Sequence, residues 1–277
     1  MDKLETIKHL NIMKIGIIGA GNMGGAIARG LSQGTHLSAK DINVSARTNI
    51  SLDKIKNFNT DINTFSNNIE CINNVDIILL AVKPWLIKSV SEEILPYVNY
   101  SKQIIISVAA GISFDTLSSI FIEKESIAPT LFRIIPNTAI DVLESFSCIA
   151  SINSCKEQED LIVSMFNELG LAIYTTEDKI AAFTSISSCG IAYAFRYIRA
   201  AMEGGVEMGL YPDLAKKAIM QTLKGAIALL EINQSNPEIE IDKVTTPGGT
   251  TIKGLNEMEH NGFSSSVIKG LKASFNK

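Results

Sequence analysis

From Lys14 onward, short aliphatic and β-branched runs alternate with longer stretches whose apolar positions return every three or four residues. The runs are "MKIGIIG", "INVSAR", "VDIILLAV" and "QIIISVA", and the periodic stretches after them predict helices near residues 23–32, 52–57, 86–95 and 114–121. Strand and helix in alternation mean βαβ units and a parallel sheet. "DIILLAV" and "QIIISVA" are apolar at successive positions, which suits central strands covered on both faces. "LFRIIP", "SFSCIA" and "LAIYTT" predict further strands, with a helix near 157–169 before the last.

After Thr176 the strand signals stop. "KIAAFTSIS", "IAYAFRYIRAAMEGGVEMGL" and "LAKKAIMQTLKGAIALLEIN" read as helices, the last opening on Pro212 and Asp213, where a missing N–H costs nothing. The expected organisation is α/β: an extension over 1–12, a parallel-sheet domain over 13–176 and an all-helical domain over 177–277. The long helices are apolar around much of their circumference, so a second subunit is expected to cover part of them.

With 277 residues, 46% hydrophobic and 19% charged, the chain can bury a sizeable core. A net charge of -4 and no Lys/Arg block point away from nucleic acid or an anionic membrane and toward a small solute. Cys71, Cys148, Cys155 and Cys189 show neither CxxC spacing nor a His at zinc-ligand distance, so reduced thiols in a cytosol are expected and no metal. No apolar run approaches the roughly 18 residues that span a bilayer. "MDKLETIKHLNI" carries charges where an export signal needs an apolar stretch, and Met13 is an alternative start.

"GIIGAGNMGGAIA" sets Gly19, Gly21 and Gly24 in GxGxxG spacing where the first strand meets its helix, with Asn22 and Met23 between them. In a dinucleotide-binding unit of Rossmann type, the first glycine makes the turn, the second admits a pyrophosphate and the third lets helix and strand pack closely. The second strand discriminates between cofactors. A carboxylate at its end binds the ribose 2′-hydroxyl of NAD; here it ends Ser45, Ala46, Arg47, Thr48, and a guanidinium with two hydroxyls suits a 2′-phosphate. NADPH is therefore the expected cofactor, with NADH as the lesser possibility.

"AVKP", Ala81, Val82, Lys83 and Pro84, and the Ala109, Ala110 and Gly111 of "VAAGI" follow the next two apolar strands, whose ends line the ligand crevice. Lys83 has two open readings, beside the cofactor or simply ending a strand. So has Asn137, against nicotinamide or capping a turn. His9, His36 and His260 sit in no motif, Glu203 is spaced to pair with Arg199, and Tyr193 reads as core or interface.

These stretches, with "RIIPNTAI", "GIAYAF" and above all "VTTPGGTTIKGLNEME", resemble the pyrroline-5-carboxylate reductases over nearly the whole chain from Met13. The resemblance implies a Rossmann domain, a helical domain interlocking two subunits in a homodimer or a ring of dimers, and reduction of 1-pyrroline-5-carboxylate to L-proline in the last step of proline synthesis. The chain departs from the usual pattern at Ser188, Cys189 and Ile191 in "SSCGIAY", at Ala46 and at Ala139. Two alternatives stay open: reduction of another cyclic imine or keto acid, and a non-catalytic module that binds NADP(H) or proline.

The substrate so implied is a cyclic imine bearing a carboxylate. Pro247, Gly248 and Gly249 make a tight turn, and a helix starting near Thr250 offers free N–H groups and the positive end of its dipole to that carboxylate. Thr246 and Thr250 add hydroxyl donors. Thr251 corresponds to the residue implied to hydrogen-bond the ring nitrogen, orienting the imine or relaying a proton. The bland reading of the same loop is a plain helix cap.

Overall fold

The computed structural model describes residues 13–122 and 127–275. The expected extension, residues 1–12, lies outside the described residues.

Eight strands form one sheet: β1 (Ile15–Ile18), β2 (Ile42–Ser45), β3 (Asn63–Phe65), β4 (Ile77–Leu80), β5 (Ile104–Ser107), β6 (Thr130–Ile135), β7 (Ser145–Ile152) and β8 (Gly170–Tyr174). Their order is β3-β2-β1-β4-β5-β6-β7-β8. Because β2 and β4 lie on opposite sides of β1, the crevice of the sheet opens at the C-terminal end of β1. Period-two alternation sends Ile77 and Leu79 of β4 into one core and Ile78 and Leu80 into the other, each fully buried. Burying one such side chain is worth about 1.5–3 kcal/mol, and two cores explain why both faces of the strand are apolar.

The pairing is parallel except between β6 and β7, where Ile134 stands opposite Ile149 in antiparallel register. The expected parallel sheet did not include this step. Its cause is the connection, residues 136–144, which is shorter than the dozen or so residues of a parallel crossover.

Helices cover both faces: α1 (Asn22–Leu31), α2 (Asn49–Phe58), the single turn α3 (Asn68–Cys71), α4 (Ile87–Ile94), α5 (Phe114–Ile120) and α6 (Lys156–Asn167). α1 buries Ala26, Ile27, Ala28 and Leu31 against the core that holds Ile15 and Ile17. The third strand, β3, was not expected, and α2 starts three residues earlier than the pattern suggested.

By packing, the chain divides after Ser188, whereas its strand pattern stops at Thr176. The intervening α7 (Glu177–Phe183) stays with the sheet: Ile180 is buried in the second core and Phe183 stacks on Phe146, ring centres 5.4 Å apart. A π-type turn over Thr184–Cys189 follows.

The second unit contains α8 (Gly190–Glu207), α9 (Pro212–Asn233), α10 (Pro237–Val244), α11 (Thr250–His260) and α12 (Phe263–Phe275). α8 and α9 approach where Gly205 meets Ala215, so closely that a Cβ on Gly205 would lie 3.0 Å from that of Ala215. Tyr193 donates or accepts a 2.8 Å hydrogen bond with the Ser274 hydroxyl, and Tyr197 meets Phe263 edge-on. Among the described residues of this unit only Gly205 and Ala215 are buried, while Phe195, Met208, Tyr211 and Ile232 are exposed. No helix among the described residues is long and apolar enough to cross a membrane.

Candidate active site

The turn between β1 and α1 is built by its glycines. Gly19 has φ +107°, and a side chain there would meet the Ala81 carbonyl at 2.8 Å. A Cβ on Gly24 would lie 2.1 Å from the Gly19 carbonyl oxygen, so only a glycine lets the helix seat on the strand. Gly21 differs: a Cβ there would meet nothing within 4 Å. It is the N-cap of α1, makes no side-chain cap, and is followed by Asn22 and Met23 with no acidic residue in the first turn. Backbone N–H groups at an uncapped helix start facing open space fit a pyrophosphate.

The end of β2 lies beside this turn, and the Ser45 carbonyl accepts the N–H groups of Gly19 and Ala20 at 2.9 and 3.0 Å. Ser45 itself points inward. Its side chain is buried and its hydroxyl donates to Asn68 Oδ1 at 2.8 Å, because Ile42 and Val44 take the opposite face of the strand. Arg47 and Thr48 are exposed, with Thr48 the N-cap position of α2, whose first turn also lacks acid.

Beyond β4, Ala81 and Val82 are half-buried against Gly19, and Lys83 is exposed at the start of a single 3-10 turn, Pro84–Leu86. Beyond β5, the Ala109 side chain is buried in the second core, whereas Ala110 and Gly111 are exposed and Gly111 has φ +78° with open space around it. Asn137 caps a turn: its Oδ1 accepts the Ala139 N–H at 3.0 Å, and its own N–H reaches the Ser145 hydroxyl at 3.1 Å.

In the helical unit, Thr246 to Gly249 form a turn closed by the Gly249 N–H to the Thr246 carbonyl at 2.9 Å. Proline in second place and Gly248 at φ +72° in third are the residues a type II turn demands. Gly249 is the N-cap of α11 and, having no side chain, leaves the first N–H groups uncapped. Thr246, Thr250 and Thr251 are exposed around this start, and no acid lies in the first turn.

Sequence reasoning missed one polar group in the sheet. Arg133 of β6, buried, pairs with Glu177 at the start of α7. The signal was a lone arginine inside the apolar run "LFRIIP".

A parallel α/β unit with this glycine turn defines the class: an oxidoreductase with a dinucleotide-binding domain. A family model for pyrroline-5-carboxylate reductase dimerisation matches residues 177–277, and one for coenzyme F420-dependent NADP oxidoreductase matches 14–111. Pyrroline-5-carboxylate reductase 2 of Dictyostelium discoideum is 36% identical, covering 96% of this chain and 92% of the relative. Pyrroline-5-carboxylate reductase 1 of the same organism is 36% identical over 95% of this chain, which spans about half, 49%, of that relative's length. The crystal structure of the Plasmodium falciparum pyrroline carboxylate reductase with NADP bound superposes with a TM-score of 0.85 at 28% identity, covering 96% of each chain. The chain belongs to the pyrroline-5-carboxylate reductase family.

Proposed function

We propose that the chain reduces 1-pyrroline-5-carboxylate to L-proline with NADPH, as a homodimer. The observation that carries this is the start of α11: an uncapped helix N-terminus, free of acid and ringed by Thr246, Thr250 and Thr251. Helices that bind nothing there commonly place a carboxylate in the first turn, as α5, α7 and α10 do with Asp115, Glu177 and Glu238. α1, α2 and α11 carry no such acid, and neither do α4, α8 and α12; what sets α11 apart is the glycine N-cap with exposed threonine hydroxyls around it.

Bound NADPH supplies a hydride to the imine carbon while the ring nitrogen carries a proton. The chain's part is to hold the reactants. Gly21 and the first N–H groups of α1 take the pyrophosphate, with Arg47 and Thr48 on the 2′-phosphate and Ala110 and Gly111 toward the nicotinamide half. Gly248, Gly249 and Thr250 take the substrate carboxylate, with Thr246 beside them. Thr251 orients the ring nitrogen; a threonine hydroxyl is too weak an acid to drive protonation, so the proton comes from solvent beforehand. Alignment of the two partners contributes on the order of 7–11 kcal/mol. Four cysteines without a disulfide suit a reducing compartment such as the cytoplasm.

Purified protein should consume NADPH only when the imine is present. Thr251→Ala should lower kcat/KM about ten- to hundredfold, the cost of one hydrogen bond to a polar or charged group, with NADPH affinity unchanged. Its pH profile should keep the shape of the wild type. No turnover on the imine, with turnover on six-membered imines or 2-keto acids, would overturn the substrate assignment.

A further inference from the structure

Among the described residues, Arg133 is the one charged group buried in this protein, 7% exposed. It stands between Phe132 and Ile134 in β6, on the face shared with Leu131 and Ile135. Its Nη1 pairs with Oε1 of Glu177, the first residue of α7. The same carboxylate oxygen accepts the backbone N–H of Phe114, the first residue of α5, at 2.7 Å. The guanidinium carbon lies 5.8 Å from the centre of the Phe114 ring, and Nε has no hydrogen-bond partner. Glu177 is itself half-exposed, and burying a guanidinium beside it carries a desolvation cost that an apolar residue in the strand would avoid, so stability alone does not account for the arginine.

What the cluster does is fix where α5 begins. Ser113 caps the helix from its own chain, accepting the Thr116 N–H at 3.1 Å, and Glu177 takes the N–H of Phe114 from outside. Directly upstream runs the loop 109–113 at the C-terminal end of β5, with Gly111 open to space. β5 pairs with β4, and β4 with the strand that carries the glycine turn, so this loop stands on the side of β1 away from Arg47. In a doubly wound sheet the two halves of a dinucleotide fall on opposite sides of that strand.

We propose that Arg133 and Glu177 are positioning residues that hold the loop 109–113 against the nicotinamide half of the cofactor. This rests on the function proposed above and deepens it. The pair touches neither substrate nor cofactor; it acts through the start of α5.

The test compares two ligands on the full chain. NADPH occupies both halves of the site, whereas adenosine 2′,5′-bisphosphate occupies the half beside Arg47. Glu177→Ala should weaken NADPH binding about tenfold and raise its KM to match, with kcat falling less than threefold and the bisphosphate bound as by the wild type. Since that variant leaves an unpaired buried cation, Arg133→Met combined with Glu177→Ala serves beside it and should show the same selective loss. Unchanged NADPH affinity in the double variant, or equal loss of both ligands, overturns the proposal. Wild-type protein that binds neither ligand would instead overturn the cofactor reading on which it rests.

Discussion

A methyl group at residue 24 has nowhere to go, with the Gly19 carbonyl 2.1 Å and the Ala81 side chain 2.7 Å from where it would sit. Gly24→Ala should therefore push α1 off β1, costing about 1–3 kcal/mol of stability in thermal unfolding and weakening NADPH binding in the same protein. Among the cysteines the contrast is chemical. Burial pushes the Cys71 thiol up to about 12, against weaker opposing hydrogen-bond contacts with Ser45 and the Ile17 carbonyl, while Cys155 is exposed. A thiol reagent at neutral pH should label Cys155 and spare Cys71 until the protein unfolds. Gly19 and Gly24 were legible because each answers a local steric demand, whereas Gly21, with open space around it, was read from the spacing alone. The orientation of Ser45 was less legible: the run "INVSAR" shows that the strand ends there, and only the phase set by Ile42 and Val44 shows that its hydroxyl turns inward.

Between elements, the loop after α1 is tied to α6 by one carboxylate. Glu168 Oε1 accepts the Thr35 hydroxyl at 2.7 Å and the His36 N–H at 3.1 Å, and His36 Nδ1 lies 2.8 Å away. Burial opposes its ionisation, but the hydrogen bonds from Thr35 and His36 outweigh it and hold the carboxyl below its usual range. A carboxyl depressed in the folded state contributes stability that is complete above the unfolded value, near 4.3, and is lost as pH falls through the folded one. Glu168→Gln should thus cost about 1–2 kcal/mol at pH 7 in denaturant titrations, and the difference from wild type should shrink as pH falls below the unfolded value. The turn ahead of α11 makes a different test. Gly248 sits at φ +72°, so Gly248→Ala adds roughly 1–2 kcal/mol of strain there and should raise KM for the imine while NADPH affinity holds. Both the turn and the helix after it could be read from "TPGGTT", since proline, glycine and hydroxyl residues specify local geometry. The antiparallel step from β6 to β7 could not be read from its strands, because an apolar run carries no sign of direction; only the short connection does.

At the scale of the molecule, the change in pattern at Thr176 and the change in packing at Ser188 are separate events. Periodicity reports local structure and finds the first; the second depends on Ile180 and Phe183 returning to the sheet, which no local pattern records. The broad apolar faces of "IAYAFRYIRAAMEGGVEMGL" and "LAKKAIMQTLKGAIALLEIN" did show in the sequence that one chain is too little cover for them. With Gly205 and Ala215 alone buried among the described residues there, acquiring shape and finding a companion become a single event for these helices. The melting temperature should accordingly climb with protein concentration, by mass action, and simple dilution should do to this half of the chain what urea does to the other.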